Sequence, residues 1–198
     1  MLKLSKVMAN PSELATLAKY ACSGQMPPHG NLEEADRVLG FSFGYRLARG
    51  GGWEPGATNY DLAELIAGNE ILRSLPMTLE EEVAAALIHL EPKLTDQIDV
   101  IKTRSAKQKV SGTHEVMVLA KPRIEESGAR KLAVVAFRYH LPRAEAIVRE
   151  AGFSTVVPDM RNFGDFDPES EQWWTTSRQR WIGYELGVIA YFAARGYL

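Results

Sequence analysis

The chain has 198 residues, with 25 acidic against 23 basic side chains and a formal net charge of −2, so it lacks the overall basic footprint of a nucleic-acid binder. With 45% hydrophobic and 24% charged residues it has the composition of a globular domain that buries its own core. Its single cysteine, Cys22, excludes an internal disulfide and a multi-cysteine zinc site within one chain. The histidines at 29, 89, 114 and 140 have no compact metal-ligand spacing, so no metal is expected.

Met1 to Pro11 has no apolar run ahead of a small-residue cleavage site and does not read as a signal peptide. Ile182 to Leu198 is the other apolar candidate, but Glu185 and Arg195 interrupt it, which suits a buried helix better than a bilayer span. The expectation is a cytoplasmic protein without a membrane span. Asn10-Pro11-Ser12-Glu13 reads as a helix start, with a cap, a first-turn proline and an acid at the capping-box distance. That helix runs to about Cys22 and ends before the Pro27-Pro28-His29-Gly30 turn. Residues 1–34 are thus an N-terminal accessory helical segment, and 35–198 the main domain.

From Ala35 onward, short apolar runs alternate with helical patterns, the signature of an α/β domain with a mostly parallel sheet. Ala35 to Leu39 is the first strand candidate and opens into Gly40-Phe41-Ser42-Phe43-Gly44. Thr58 caps a helix from Tyr60 to about Gly68, a short strand is expected over Ile71 to Leu75, and Thr78-Leu79-Glu80-Glu81 fits a capping box starting a helix through Leu90. Ile98 to Ile101 is the next strand. A helix capped by Ser111 or Thr113 ends near Gly128, and the continuous apolar run within Lys131 to Phe137 suits a strand covered on both faces. A helix from Pro142 to Ala151, a strand from Phe153 to Val157 and a long helix from about Glu171 to Arg195 complete the chain.

Ligands of open parallel sheets collect beyond the strand carboxyl ends. Four loops meet that condition: 40–52, 102–115, 138–143 and 158–167. The first offers Gly40, Ser42 and Gly44 for close backbone approach, with Arg46 for an anion, although it contains neither a dinucleotide fingerprint nor a Walker motif. The second sets Lys102, Arg104, Lys107 and Lys109 before the hydroxyls of Ser111 and Thr113 and before His114 and Glu115, a helix start suited to an anion. The third carries Arg138, Tyr139, His140 and Arg143 directly after the best strand. Histidine titrates near neutrality and arginine holds anions, although a strand-end histidine also serves simply as a backbone partner. The fourth has Asp159, Arg161, Asn162, Asp165 and Asp167, for which a solvated loop is the default reading.

Ala136 to Ala144 resembles the Thr-Ser-x-Tyr-His-Met-x-Arg-Ala segment of the YdcF/SanA/ElyC-like bacterial domain family, whose function is largely unknown. Val38-Leu39-Gly40, the Ser111, Thr113 and Glu115 element, and Arg180-Trp181-Ile182-Gly183-Tyr184-Glu185 through Leu198 follow in the same order. The departures are Ala136 and Phe137 in place of a hydroxyl pair, Val116 in place of an asparagine, and Gly40-Phe41 in place of a glycine pair; the middle Ser-Gly-Gly strand end is missing. The resemblance implies a Rossmann-like fold over roughly residues 35 to 198. It also implies a small anionic, nucleotide-like or adenosyl ligand, with S-adenosylmethionine the cofactor to consider.

The expected site therefore has His140 as acid or base, Glu115 as its partner, Arg138 and Arg143 holding negative charge, and Tyr139 beside them. Ser111 and Thr113 supply helix-start contacts, and Gly40, Ser42, Gly44 and Arg46 border the ligand. Two other readings stay open: an S-adenosylmethionine-dependent transferase, and a non-catalytic scaffold or regulatory module that binds a protein partner.

Overall fold

The computed structural model describes residues 11–103 and 112–195. In chain order it forms α1 (Pro11–Ser23), β1 (Arg37–Gly40), β2 (Tyr45–Leu47), β3 (Trp53–Pro55), α2 (Ala57–Gly68), α3 (Glu70–Ser74) and β4 (Met77–Glu80). There follow α4 (Glu81–Leu90), β5 (Ile98–Ile101), α5 (Thr113–Glu126), β6 (Lys131–Val135), α6 (Leu141–Glu150), β7 (Ser154–Val156) and α7 (Arg178–Arg195). Asn10, the basic residues Arg104, Lys107 and Lys109, Ser111, and the terminal Gly196-Tyr197-Leu198 lie outside the described residues.

A five-stranded parallel sheet runs in the order β5-β4-β1-β6-β7. Val38 in β1 lies opposite Met77 in β4 on one side and opposite Ala133 in β6 on the other. The chain lays strands outward in one direction as far as β5, then returns across β1 and continues the other way, which is the doubly wound Rossmann-like topology. Helix α2 packs on α4, and α5 on α6, the pairing expected when right-handed crossovers put the two pairs on opposite faces of the sheet. Burial is deepest in the central strands: Val38, Leu39, Met77, Leu79 and Leu132 to Val135 are inaccessible to solvent. Their continuous apolar pattern reflects cover on both faces.

Residues 11–34 pack onto this domain. Helix α1 lies against α6 and α7, Arg178 donates to the Cys22 carbonyl at 3.0 Å, and His29 forms an antiparallel bridge with Val157 beside the sheet edge. Among the described residues no helix is long and apolar enough to cross a membrane.

Three local expectations are corrected. Ile71 to Leu75 is not a strand, because the Asn69 side chain accepts the N–H groups of Ile71 and Leu72 at 3.1 Å and caps the short helix α3. Thr78-Leu79-Glu80-Glu81 is not a capping box: Met77, Thr78 and Leu79 are fully buried as the strand between β1 and β5, and α4 starts immediately after Glu80. The long C-terminal helix also starts later than expected, at Arg178, after a single 3-10 turn over Trp173–Thr175. The glycine-rich stretch after β1 adds the β2–β3 hairpin, with Arg46 opposite Glu54.

Candidate functional site at the strand-order reversal

Strand order reverses between β1 and β6, and neighbouring connections there leave the sheet in opposite directions, opening a crevice beyond the strand ends. A cavity of about 70 Å³ occupies this place. Its walls come from Ser42, Phe43 and Gly44 after β1, Glu80 and Glu82 at the β4–α4 junction, Thr103 after β5, Thr113 at the start of α5, and His140 and Arg143 at the start of α6. Gln172, Trp174 and Thr175 close it from the loop before α7, and Trp181 and Tyr184 from α7 itself.

The loop 41–44 is held from within the core. Asn59, fully buried on α2, accepts the Phe43 N–H at 2.8 Å and donates to the Gly44 carbonyl at 2.8 Å. Gly44 has φ +74°, and a Cβ on it would stand 2.6 Å from Ser170 Oγ and 2.8 Å from Thr175 Oγ1. Glycine is needed there both for the backbone angle and for the loop to close over the cavity.

At one end of the cavity, charges are matched. Arg143 donates from Nε to Glu185 Oε1 at 2.7 Å and from Nη2 to Glu185 Oε2 at 2.9 Å, a two-pronged pair with both side chains almost wholly buried. Burial pushes the Glu185 carboxyl up, and the Arg143 guanidinium opposes that rise. A third Arg143 bond runs from Nη1 to Thr113 Oγ1. Because that oxygen already accepts from a donor-only group, the Thr113 proton is free to go to His140 Nε2, 3.3 Å away. Burial, reinforced by the nearby Arg143 charge, holds the His140 pKa well below its ordinary value, so the ring is neutral. Where the Thr113 hydroxyl donates to Nε2, the ring proton is on Nδ1, which is buried and has no partner among the described residues. Trp181 Nε1 is likewise a buried donor without a partner among the described residues.

The other end is acidic. Glu80 Oε2 accepts the Ser42 N–H at 2.9 Å, and Glu80 Oε1 accepts the Thr103 hydroxyl at 3.0 Å. Ser42 Oγ in turn accepts the Val83 N–H at 3.3 Å and satisfies one of the open donors of α4. Burial first, and then the charge of Glu82, push the Glu80 carboxyl up to about 8, against the Ser42 and Thr103 bonds. Glu80 is therefore protonated at neutral pH. Glu82, only 2% exposed, stands beside it.

Of the expected residues, Ser42, Gly44, Thr113, His140 and Arg143 meet at the cavity, whereas the others do different work. Glu115 does not pair with His140; it accepts the Gly112 N–H at 2.7 Å and caps α5. Arg138 turns away, donating to the Arg161 carbonyl at 2.9 Å and to Asp165 at 3.2 Å. Tyr139 packs among Phe137 and Phe166, with the Arg178 guanidinium over its ring. Arg46 is tied to Asp167 through two bonds, at 2.8 and 2.7 Å, and to Glu169 at 2.8 Å. Gly40 serves the sheet, because a Cβ there would meet Leu79 Cδ2 at 2.6 Å. Arg143 does line the cavity, but its charge is already matched by Glu185, so the expected pair of free guanidinium groups is not formed.

The sequence reading missed Glu80, Glu82, Thr103 and Asn59 as site residues, and it gave Trp181 no place in the site. Glu80 would have stood out had Met77-Thr78-Leu79 been read as a strand, since a carboxylate at the end of the strand beside β1 occupies the place where dinucleotide folds hold ribose hydroxyls. An adenosyl group nevertheless does not fit. The described residues enclose a cavity of only about 70 Å³, far below the roughly 300 Å³ or more of pockets for larger organic ligands. Among the described residues no cluster of three or more His, Cys, Asp or Glu could hold a metal ion. Fold and cavity together define a doubly wound α/β protein with a small polar site at its strand-order reversal. Family models, curated proteins and solved structures were all compared with the chain, and none matches.

Proposed function

We propose that this chain is a YdcF-like, Rossmann-like protein that binds a small molecule through an anionic or acceptor-oxygen end at the strand carboxyl edge. The observation that carries this reading is a pair of buried ring nitrogens, the Trp181 Nε1–H donor and His140 Nδ1, which have no partner among the described residues and belong to side chains lining one cavity. Buried donors are nearly always satisfied, and an open one costs about 1–3 kcal/mol. A ligand oxygen repays that cost, and it lies near the positive N-terminal end of α5, to which Thr113 belongs. At about 10–15 Å³ per water-sized group, the space of about 70 Å³ takes roughly five non-hydrogen atoms.

Calorimetric titration with acetate tests the reading. The wild-type protein is expected to bind, and Trp181→Phe, which keeps an aromatic ring but loses the donor, to bind about tenfold more weakly. Equal binding by the two proteins, or no binding by wild type, would count against the site.

A further inference from the structure

We propose that Arg143 and Thr113 are positioning residues that fix His140 as an Nδ1–H donor, so that its ring and the Trp181 indole together select a carboxylate. The inference rests on the function proposed above and adds how the site tells a carboxylate from an uncharged oxygen ligand.

Hydrogen counting favours one tautomer. Arg143 Nη1 can only donate, so Thr113 Oγ1 accepts from it. Thr113 has one hydrogen left to give, and among the described residues the further partner of its hydroxyl is His140 Nε2, 3.3 Å away. Were the ring proton on Nε2 instead, the Thr113 hydrogen would have no acceptor and Nδ1 would be a buried acceptor without a donor. With the proton on Nδ1, a single group of the three side chains stays open. Each open buried polar group carries a cost, so the second arrangement is favoured. A hydroxyl that accepts from a cation is also a better donor, and Arg143 thereby strengthens the Thr113 bond to Nε2. Burial, reinforced by the Arg143 charge, keeps the ring neutral, which restricts it to one proton.

The parts of this relay are held in place. The bidentate contact with Glu185 anchors Arg143, and the His140 ring packs among Phe41, Phe43 and Trp181, with centroids 6.2, 6.4 and 5.7 Å away. Trp181 Nε1 is a donor by its chemistry and has no partner among the described residues. Two N–H groups on neighbouring rings match the two oxygens of a carboxylate, and bonds to an ionised acceptor are roughly twice as strong as bonds to a neutral one.

Heteronuclear NMR of the His140 ring nitrogens reads the tautomer in the full chain without ligand. Wild type is expected to carry the proton on Nδ1 and none on Nε2. A proton on Nε2 would overturn the inference, while acetate binding would still uphold the proposed function. Thr113→Val should move the ring towards the Nε2–H form and weaken acetate about threefold or more, and Thr113→Ser should restore both. In calorimetric titration acetate should bind at least about tenfold more tightly than acetamide, its uncharged match in size. Equal affinity for the two probes, or a wild-type tautomer and affinity in Thr113→Val, would also overturn the inference. If Thr113→Val does not fold, the wild-type spectrum still decides the tautomer. If acetate does not bind at all, the proposed function fails and this selection with it.

Discussion

The two ends of the cavity keep buried ionisable groups by different means. At the α6–α7 end Arg143 and Glu185 face each other in a bidentate contact, and Thr113 takes up a third guanidinium N–H. At the β4–α4 end the bonds to Glu80 from the described residues come from neutral donors, and burial leaves it uncharged. A matched pair is expensive to split, whereas an acid held neutral makes stability depend on pH. The contrast can be broken at either end.

The largest effect belongs to the matched pair. Glu185→Leu leaves the Arg143 guanidinium buried and permanently charged, and removal of one partner from such a pair costs about 3–5 kcal/mol. Arg143→Met is expected to cost less, because the carboxyl left behind is already pushed up by burial and can take a proton. The double variant should be more stable than Glu185→Leu alone. Urea unfolding of the three variants gives the order, and equal losses for the two single variants would contradict a buried, matched pair.

The second effect appears as a pH profile. Glu80 has an ordinary value of 4.5 and is raised to about 8 in the folded protein, so between those values the folded state holds a proton that the unfolded state has released. Stability from this group is therefore full below pH 4.5 and is lost as pH rises towards about 8. His140 works in the opposite direction. Its ordinary value is 6.5 and its folded value lies well below, so stability falls as pH drops below 6.5. The two opposing slopes overlap between pH 4.5 and 6.5, and above 6.5 the Glu80 loss continues without the opposing His140 slope. Wild type should lose on the order of 2 kcal/mol between pH 6.5 and 8, and Glu80→Gln should remove that decline. Parallel profiles for the two proteins would show that Glu80 is already ionised.

These two ends were not equally legible in the amino-acid order. His140, Thr113 and Arg143 follow obvious punctuation: a continuous apolar strand precedes His140, a proline marks the first turn of α6, and Thr113 stands at a helix start. Their partner Glu185 was hidden because it lies on α7 one turn after Trp181, where a helical stripe facing the protein is expected to be apolar. Only Arg143, 42 positions away in the chain, makes that burial tolerable. Glu80 was hidden for a different reason. Thr78 and Glu81 have the spacing of a capping box, and nothing local reveals that Thr78 is enclosed between two parallel neighbours. The sheet and most of its helices follow from local pattern, whereas the polar pairings depend on contacts that spacing does not encode.

A third variant sharpens the comparison by disturbing the cover that both ends share. Gly44→Ala would force a side chain into φ +74° and within 2.6 Å of Ser170 Oγ. The backbone alone costs about 1–2 kcal/mol. Displacing the 170–175 segment should also weaken acetate binding, because Gly44 and Thr175 both stand in the cavity wall. Unaltered stability and affinity would mean that this loop does not close the cavity.

The smallest effect is expected at Arg138, five residues before Arg143 but in a different setting. The turn over 138–140 precedes α6, so Arg138 leaves the chain before the helix begins and reaches the 158–167 loop, while Arg143 lies within the first turn of α6. The Asp165 partner of Arg138 is 95% exposed, and such pairs contribute about 0–1 kcal/mol. Arg138→Ala should therefore lower stability by less than about 1 kcal/mol, leave acetate affinity unchanged, and increase hydrogen exchange near Arg161, whose carbonyl it holds. A loss of affinity comparable with that of Trp181→Phe would place the Arg138 guanidinium at the ligand and reinstate the two-arginine site expected from the sequence.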